Sequence, residues 1–80
     1  MSLYRYTVIF EPAEEGGYLA YVPTLGLTTE GETLNEAREM AKDAIAGYLE
    51  ALAKDGIAAP VEEQEELTEP VREVVEVSVA

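Results

Sequence analysis

One segment of this chain carries the full set of marks of a long helix, and it dictates what the rest must do. Thr33 is followed three residues later by Glu36. In that spacing a threonine oxygen accepts from the Glu36 amide, and the glutamate can reach back to the Thr33 amide. Beyond this capping box, Leu34, Ala37, Ala41, Ala44, Ile45, Tyr48, Leu49 and Leu52 recur at three- and four-residue steps and form one apolar stripe. Glu36, Glu39, Asp43 and Glu50 lie mostly off it. Gly56 follows as the stop that a left-handed residue supplies after a last turn. The pattern predicts a helix over 34–55, about 33 Å long at about 1.5 Å per residue. A helix with a single apolar stripe needs a partner surface, and the remaining segments read as strands.

Residues 3–11 alternate. Tyr4, Tyr6, Val8 and Phe10 share one face, and Leu3, Arg5, Thr7 and Ile9 share the other. Aromatic and β-branched residues dominate, so this is a strand. Apolar residues on both faces suit a strand with neighbours on both sides, or a dimer contact on the second face. Pro12 to Gly17 makes a turn, and Tyr18–Val22 is a second strand completing a hairpin. Pro23 ends it, having no donor for the ladder. A short third strand is expected over 25–29. Gly31 permits a sharp entry into the helix, and Ala41, Ala44 and Gly47 keep its middle slim for close packing within the domain.

After Gly56 the chain passes through an acidic stretch in which five of the eight residues 62–69 are glutamates. This is expected as a solvated loop bracketed by Pro60 and Pro70. Residues 71–80 form a last strand with Val71, Val75, Val77 and Val79 on one face, and with Arg72, Glu76 and Ser78 opposite. The expected architecture is therefore α+β with two layers. One long helix packs on a three- to four-stranded sheet, in the order β-β-β-α-β, as a single domain over 1–80.

A chain of 80 residues buries only about 60 to 65% of its unfolded surface, so its core is thin. It has no cysteine to staple it, and such domains often gain stability by pairing. The net charge of −12 repels nucleic acid and anionic membranes. It favours a basic partner, or serves solubility alone. No apolar run is long enough to cross a bilayer, and the first ten residues lack a signal-peptide pattern, so a cytoplasmic location is expected.

Catalytic groups are sparse. There is no histidine or cysteine for a zinc site, and Ser2 and Ser78 have no base in a supporting motif. Gly16-Gly17 precedes a strand, whereas a phosphate cradle needs a helix next. A magnesium-dependent nuclease takes an acid from a strand centre; here the centres are Thr7-Val8-Ile9 and Ala20. The acids read better as a solvated face. Of the scattered bases, only Arg38 and Lys42 sit together, and a helix ion-pair pattern with Glu39 and Asp43 explains them better than a phosphate track. The five tyrosines suit strand packing or an interface.

Gly16-Gly17-Tyr18, a strand ending at Pro23, Leu25-Gly26, Gly31-Glu32-Thr33, Glu36-Ala37 and a helix closing on Gly56 to Pro60 occur in this order. The set resembles the HicB antitoxin family over about residues 4–61. The resemblance implies a partly RNase H-like fold that cleaves no RNA. It further implies neutralisation of a small basic ribonuclease toxin (a HicA-like protein) and assembly into dimers or tetramers. Two positions depart from the family pattern: Thr24 stands where an acid is usual after the proline, and Leu27 where a cysteine is frequent. The C-terminal DNA-binding segment of many members is not matched, so operator binding is not carried over, and a stand-alone domain is expected.

The expected function is a non-catalytic protein-binding module with no cofactor, no metal and no direct nucleic-acid contact. The alternatives are a self-associating structural module and, remotely, a metal-dependent nuclease. The expected contact surface comprises Glu14, Glu15, Tyr18 and Tyr21 with Glu62, Glu63, Glu65 and Glu66.

Overall fold

The computed structural model describes residues 2–62 and 72–79. Its elements run β1 (Ser2–Pro12), β2 (Tyr18–Val22), β3 (Leu27–Gly31), α1 (Leu34–Lys54) and β4 (Arg72–Val79). The four strands form one antiparallel sheet in the order β3-β2-β1-β4. With α1 laid on one face, this is the expected two-layer α+β arrangement. The segment 63–71, which holds most of the acidic stretch, lies outside the described residues.

Strand β1 is central because it is long enough to serve two neighbours. Its first part pairs with β4, from Ser2 opposite Val79 to Ile9 opposite Arg72. Its last part pairs with β2, from Ile9 opposite Tyr21 to Pro12 opposite Tyr18. The alternation in β1 sorts as the sequence implies: Tyr6, Val8 and Phe10 are buried, whereas Leu3 and Arg5 are exposed on the other face. Ala20 and Val22 of β2, Val75 and Val77 of β4, and Leu25 complete the sheet side of the core.

Helix α1 supplies Ala37, Ala41, Ile45 and Leu49, all buried and each four residues from the next. Thr33 caps its start in an extended conformation, its Oγ1 accepting from the Glu36 amide at 3.0 Å. Its end is a Schellman motif. The Ile57 amide donates to the Leu52 carbonyl (2.9 Å) and the Gly56 amide to that of Ala53 (3.1 Å), with Gly56 at φ +69°.

Two expectations are corrected. The third strand begins at Leu27, two residues later than expected, because Leu25 and Gly26 belong to the turn. Gly26 has φ +68° and donates to the Val22 carbonyl at 2.8 Å, and this turn tucks Leu25 into the core. Arg38 does not join a helix-surface ion pair. It crosses to β4, where its guanidinium grips Glu73 with two bonds, the Nη2 to Oε1 contact being 2.8 Å. The guanidinium carbon also lies 5.8 Å from the centroid of the Phe10 ring. Glu73 falls on the helix-facing side of β4 among valines, and the charge pair completes the cover of that side. Lys42 keeps a helical partner, Glu39, at 3.9 Å.

Gly47 is exposed, and a Cβ there would meet nothing within 4 Å. It plays no part in the slim packing that the sequence suggested. Gly47→Ala is therefore expected to raise the unfolding free energy by about 0.5 to 1 kcal/mol, since alanine restricts the unfolded chain and favours the helix. Urea denaturation followed by circular dichroism measures this, and a loss of stability would contradict the open environment.

Candidate protein-binding surface

The turn 13–17 owes its shape to its glycines. Gly16 and Gly17 have φ values of +102° and +79°, and the turn closes through the Ala13 amide on the Gly17 carbonyl (3.0 Å). Gly17 also lies against the end of β3, where a Cβ would sit 2.6 Å from the Gly31 carbonyl oxygen. Gly31 in turn lies against the first turn of α1. These close approaches bring the turn, the β3 end and the helix start around one cleft of about 660 Å³. Its side-chain lining is Glu15, Tyr18, Glu30, Glu32, Glu36 and Met40. Every ionisable carboxylate there is a glutamate, and no basic side chain lines it.

Four carboxylates around a concavity focus a negative potential that attracts cationic groups. Among the described residues, no group of three or more histidine, cysteine, aspartate or glutamate side chains is placed to hold a metal ion. Tyr18 is half-buried and Met40 is 43% exposed, so the cleft also offers ring and thioether surface. Such a surface suits a partner that presents lysine or arginine with apolar stems.

The expected contact residues divide. Glu14 and Glu15 are exposed in the 13–17 turn, and Glu15 and Tyr18 line the cleft together. Tyr21 is 43% exposed on the opposite face of the sheet, across from Ile9 and Thr28. Glu62 lies at the other end of β2. Both its oxygens accept the Thr7 amide at 2.9 Å, the Thr7 hydroxyl donates to it as well, and the Thr24 hydroxyl donates to Oε1 at 2.7 Å. Strand β2 leaves β1 at this level because Pro23 begins a turn, and the Glu62 carboxylate takes the Thr7 amide that a longer β2 would have taken. Thr24, one of the two family departures, is thereby a partner of Glu62. Glu63, Glu65 and Glu66 lie outside the described residues.

Sequence reasoning did not include Glu30, Glu32, Glu36 and Met40 in the surface. Glu32 and Glu36 read as helix-entry residues, and Glu30 fell just past the expected third strand. The available signal was the pair of glycine sites, 16–17 and 31, which mark backbone that must come close. It becomes usable only with the register that sets Tyr18 opposite Gly31.

The Tyr6 hydroxyl donates to the Pro60 carbonyl at 2.6 Å, holding the chain after α1 along β1. Burial, then the charges on Tyr4 and Glu62, raises the Tyr6 hydroxyl above its usual pKa of 10.0. Hydrogen bonding to Glu73, reinforced by its charge, likewise raises Arg38. No helix among the described residues is long and apolar enough to cross a membrane.

No family model matches the chain. It is 42% identical over 65 residues to a UPF0150 protein of Thermoplasma acidophilum, covering 80% of this chain and 94% of that protein. A UPF0150 protein of Synechocystis is 36% identical over 63 residues, covering 78% and 80%. The antitoxin HicB of Escherichia coli K12 is 40% identical over 58 residues, 71% of this chain but 42% of that protein. The region matched thus spans less than half of the HicB antitoxin.

Proposed function

Because the chain belongs to the HicB-like antitoxin family, we propose that it is a non-catalytic binding module that neutralises a small basic toxin of the HicA kind. The observation that carries this reading is the cleft of Glu15, Glu30, Glu32 and Glu36 beside Tyr18 and Met40, in a chain of net charge −12. A basic toxin would enter this cleft with lysine or arginine side chains while apolar surface meets Tyr18 and Met40. Long-range attraction speeds such an encounter, and the local carboxylates set its orientation. Glu14 would add to the field from the turn.

Titration calorimetry against a small basic toxin of the HicA kind tests the reading. Binding is expected, and the double charge reversal Glu15→Lys with Glu30→Lys is expected to weaken it about tenfold, equivalent to about 1.4 kcal/mol, with an unchanged circular dichroism spectrum. Absence of binding would remove the antitoxin reading. Binding indifferent to the reversal would move the contact away from this cleft.

A further inference from the structure

The outer strand β3 turns some of its backbone groups to solvent, and which ones follows from a single contact. The Thr7 amide points toward the β2 side of β1, since it donates to Glu62, which also takes the hydroxyl of Thr24 in the β2–β3 turn. The backbone groups of Ile9 and Glu11 point the same way and meet Tyr21 and Leu19. Alternation along β2 then turns Tyr18, Ala20 and Val22 toward β3, opposite Gly31, Thr29 and Leu27. The amides and carbonyls of Thr28 and Glu30 therefore face outward, where no further strand lies among the described residues.

The two edges of the sheet differ in charge. Beside β4 the acids are neutralised, Glu73 by Arg38 and Glu76 by Arg5. Beside β3, Glu15, Glu30, Glu32 and Glu36 gather at the Gly31 end, and none of the four has an ion pair among the described residues. Helix α1 continues this side. Glu36, Asp43 and Glu50 recur at seven-residue steps and are all exposed, so an acidic row runs along the helix. Met40, Ala44, Gly47 and Ala51 form the adjoining row, and Met40 marks it as the β3 side because it lines the cleft with Glu30 and Gly31. Beyond Met40 this row has no large side chain, and a Cβ on Gly47 would meet nothing within 4 Å. A ledge of small residues rimmed by acids thus lies beside the outward backbone of β3.

We propose that this edge binds an extended, cationic peptide segment of another protein, which pairs its backbone with Thr28 and Glu30 and continues the sheet beyond β3. The outward groups of these two residues are spaced as a strand's own backbone is, so an extended chain satisfies them. Side chains of the added segment alternate between the two faces of the sheet. Those on the helix side rest on the Ala44–Gly47 ledge, which suits apolar groups. A lysine or arginine set directly opposite Glu30 makes a cross-strand pair of opposite charge, and one at the Gly31 end meets Glu32 and Glu36. Backbone pairing supplies affinity with little regard to sequence, and the acids select a basic segment. The inference goes beyond the cleft, because it fixes the conformation of the bound segment and includes Thr28, which the cleft does not. It does not require that the segment belong to a toxin.

Selection of short random peptides displayed on phage, with the full chain immobilised, tests the proposal. Enriched sequences are expected to alternate lysine or arginine with apolar residues, and to bind more weakly as salt rises. Thr28→Pro removes an outward amide and leaves the bonds to β2 in place. It is expected to weaken the selected peptides about tenfold, the effect of one or two lost hydrogen bonds, with the far-ultraviolet spectrum retained. Amide hydrogen exchange followed by nuclear magnetic resonance gives a second readout on the unsubstituted chain. Bound peptide is expected to slow exchange at Thr28 and Glu30 by about tenfold or more. Should Thr28→Pro fail to fold, this exchange decides. Selection that enriches no cationic sequence, equal binding by a folded Thr28→Pro, or Thr28 and Glu30 amides left unprotected in the complex would each overturn the proposal. The toxin reading stands or falls separately, on the calorimetric titration, since a toxin that binds while Thr28 and Glu30 still exchange freely removes only the edge pairing.

Discussion

Gly31→Ala is expected to destabilise the fold by about 3 kcal/mol, at the upper end of ordinary overpacking. A Cβ at this position would sit 2.4 Å from the Ala37 amide nitrogen and 2.8 Å from both the Ala37 Cα and the Glu36 carbonyl carbon. All three atoms are backbone, so no rotamer change relieves the overlap. Relief requires lifting the first turn of α1 off the end of β3. That movement disturbs Ala37, which is fully buried, and the Thr33 cap immediately before it. A domain of this size has a total stability of about 4 to 12 kcal/mol, so the variant should unfold at a much lower urea concentration. The comparison with Gly47→Ala is the informative measurement. The same added methyl group is expected to act with opposite sign at two glycines sixteen residues apart in the chain. If Gly31→Ala were neutral, the close contact of β3 with the helix would be wrong, and with it the shape of the acidic cleft.

Tyr6→Ala is expected to cost about 4 kcal/mol, the range for deleting a buried aromatic ring. The ring is 1% exposed and among the largest fully buried side chains. It stacks beside Tyr4 with centroids 6.4 Å apart. Tyr6→Phe separates the ring from its hydroxyl. It keeps the packing, removes the bond to the Pro60 carbonyl, and is expected to cost about 1 kcal/mol. The two variants also differ from the parent in alkaline solution. The Tyr6 pKa is raised in the folded state by burial and by the negative charges near it, so the folded form holds its proton more tightly than the unfolded one. The stabilisation from this group is complete below the unfolded pKa of 10.0 and declines as pH rises through the higher folded value. The parent should therefore lose stability above that pH more steeply than Tyr6→Phe. Equal slopes in urea titrations across this range would show that the hydroxyl is not held as described.

Much of the fold was legible because its signals are local. The stripe Ala37, Ala41, Ile45 and Leu49, the Thr33 cap and the Gly56 stop each involve residues within a few positions of one another. Alternation grouped Tyr6, Val8 and Phe10 on one face without knowledge of any partner strand, and that face is the buried one. The third strand slipped by two residues because Leu25 reads equally well as strand or as a core residue carried by a turn. Only the Gly26 bond to Val22 distinguishes them.

The candidate site was legible in part. Glu15 and Tyr18 were singled out and do share the cleft, but Tyr21 is on the other face by simple alternation with Tyr18. Glu62 was read as surface charge, and its carboxylate is bonded to Thr7 and Thr24, far away in the chain. Arg38 likewise had helical neighbours of opposite charge, yet it bonds Glu73 across the sheet. A formal charge shows what a side chain can bond to and leaves open which partner the fold brings within reach.

The amino-acid sequence by itself determined the helix, its two ends, which residues of a strand share a face and the excess of negative charge. Each follows from the periodicity of a regular backbone or from a cap within one turn. Only the tertiary structure decided that β4 lies beside β1, that Glu62 takes the Thr7 amide, and that two glycine sites draw four glutamates around one cleft. These depend on strand register and on backbone approaches within a few ångströms, which arise when distant segments pack and have no counterpart in the local pattern of residues.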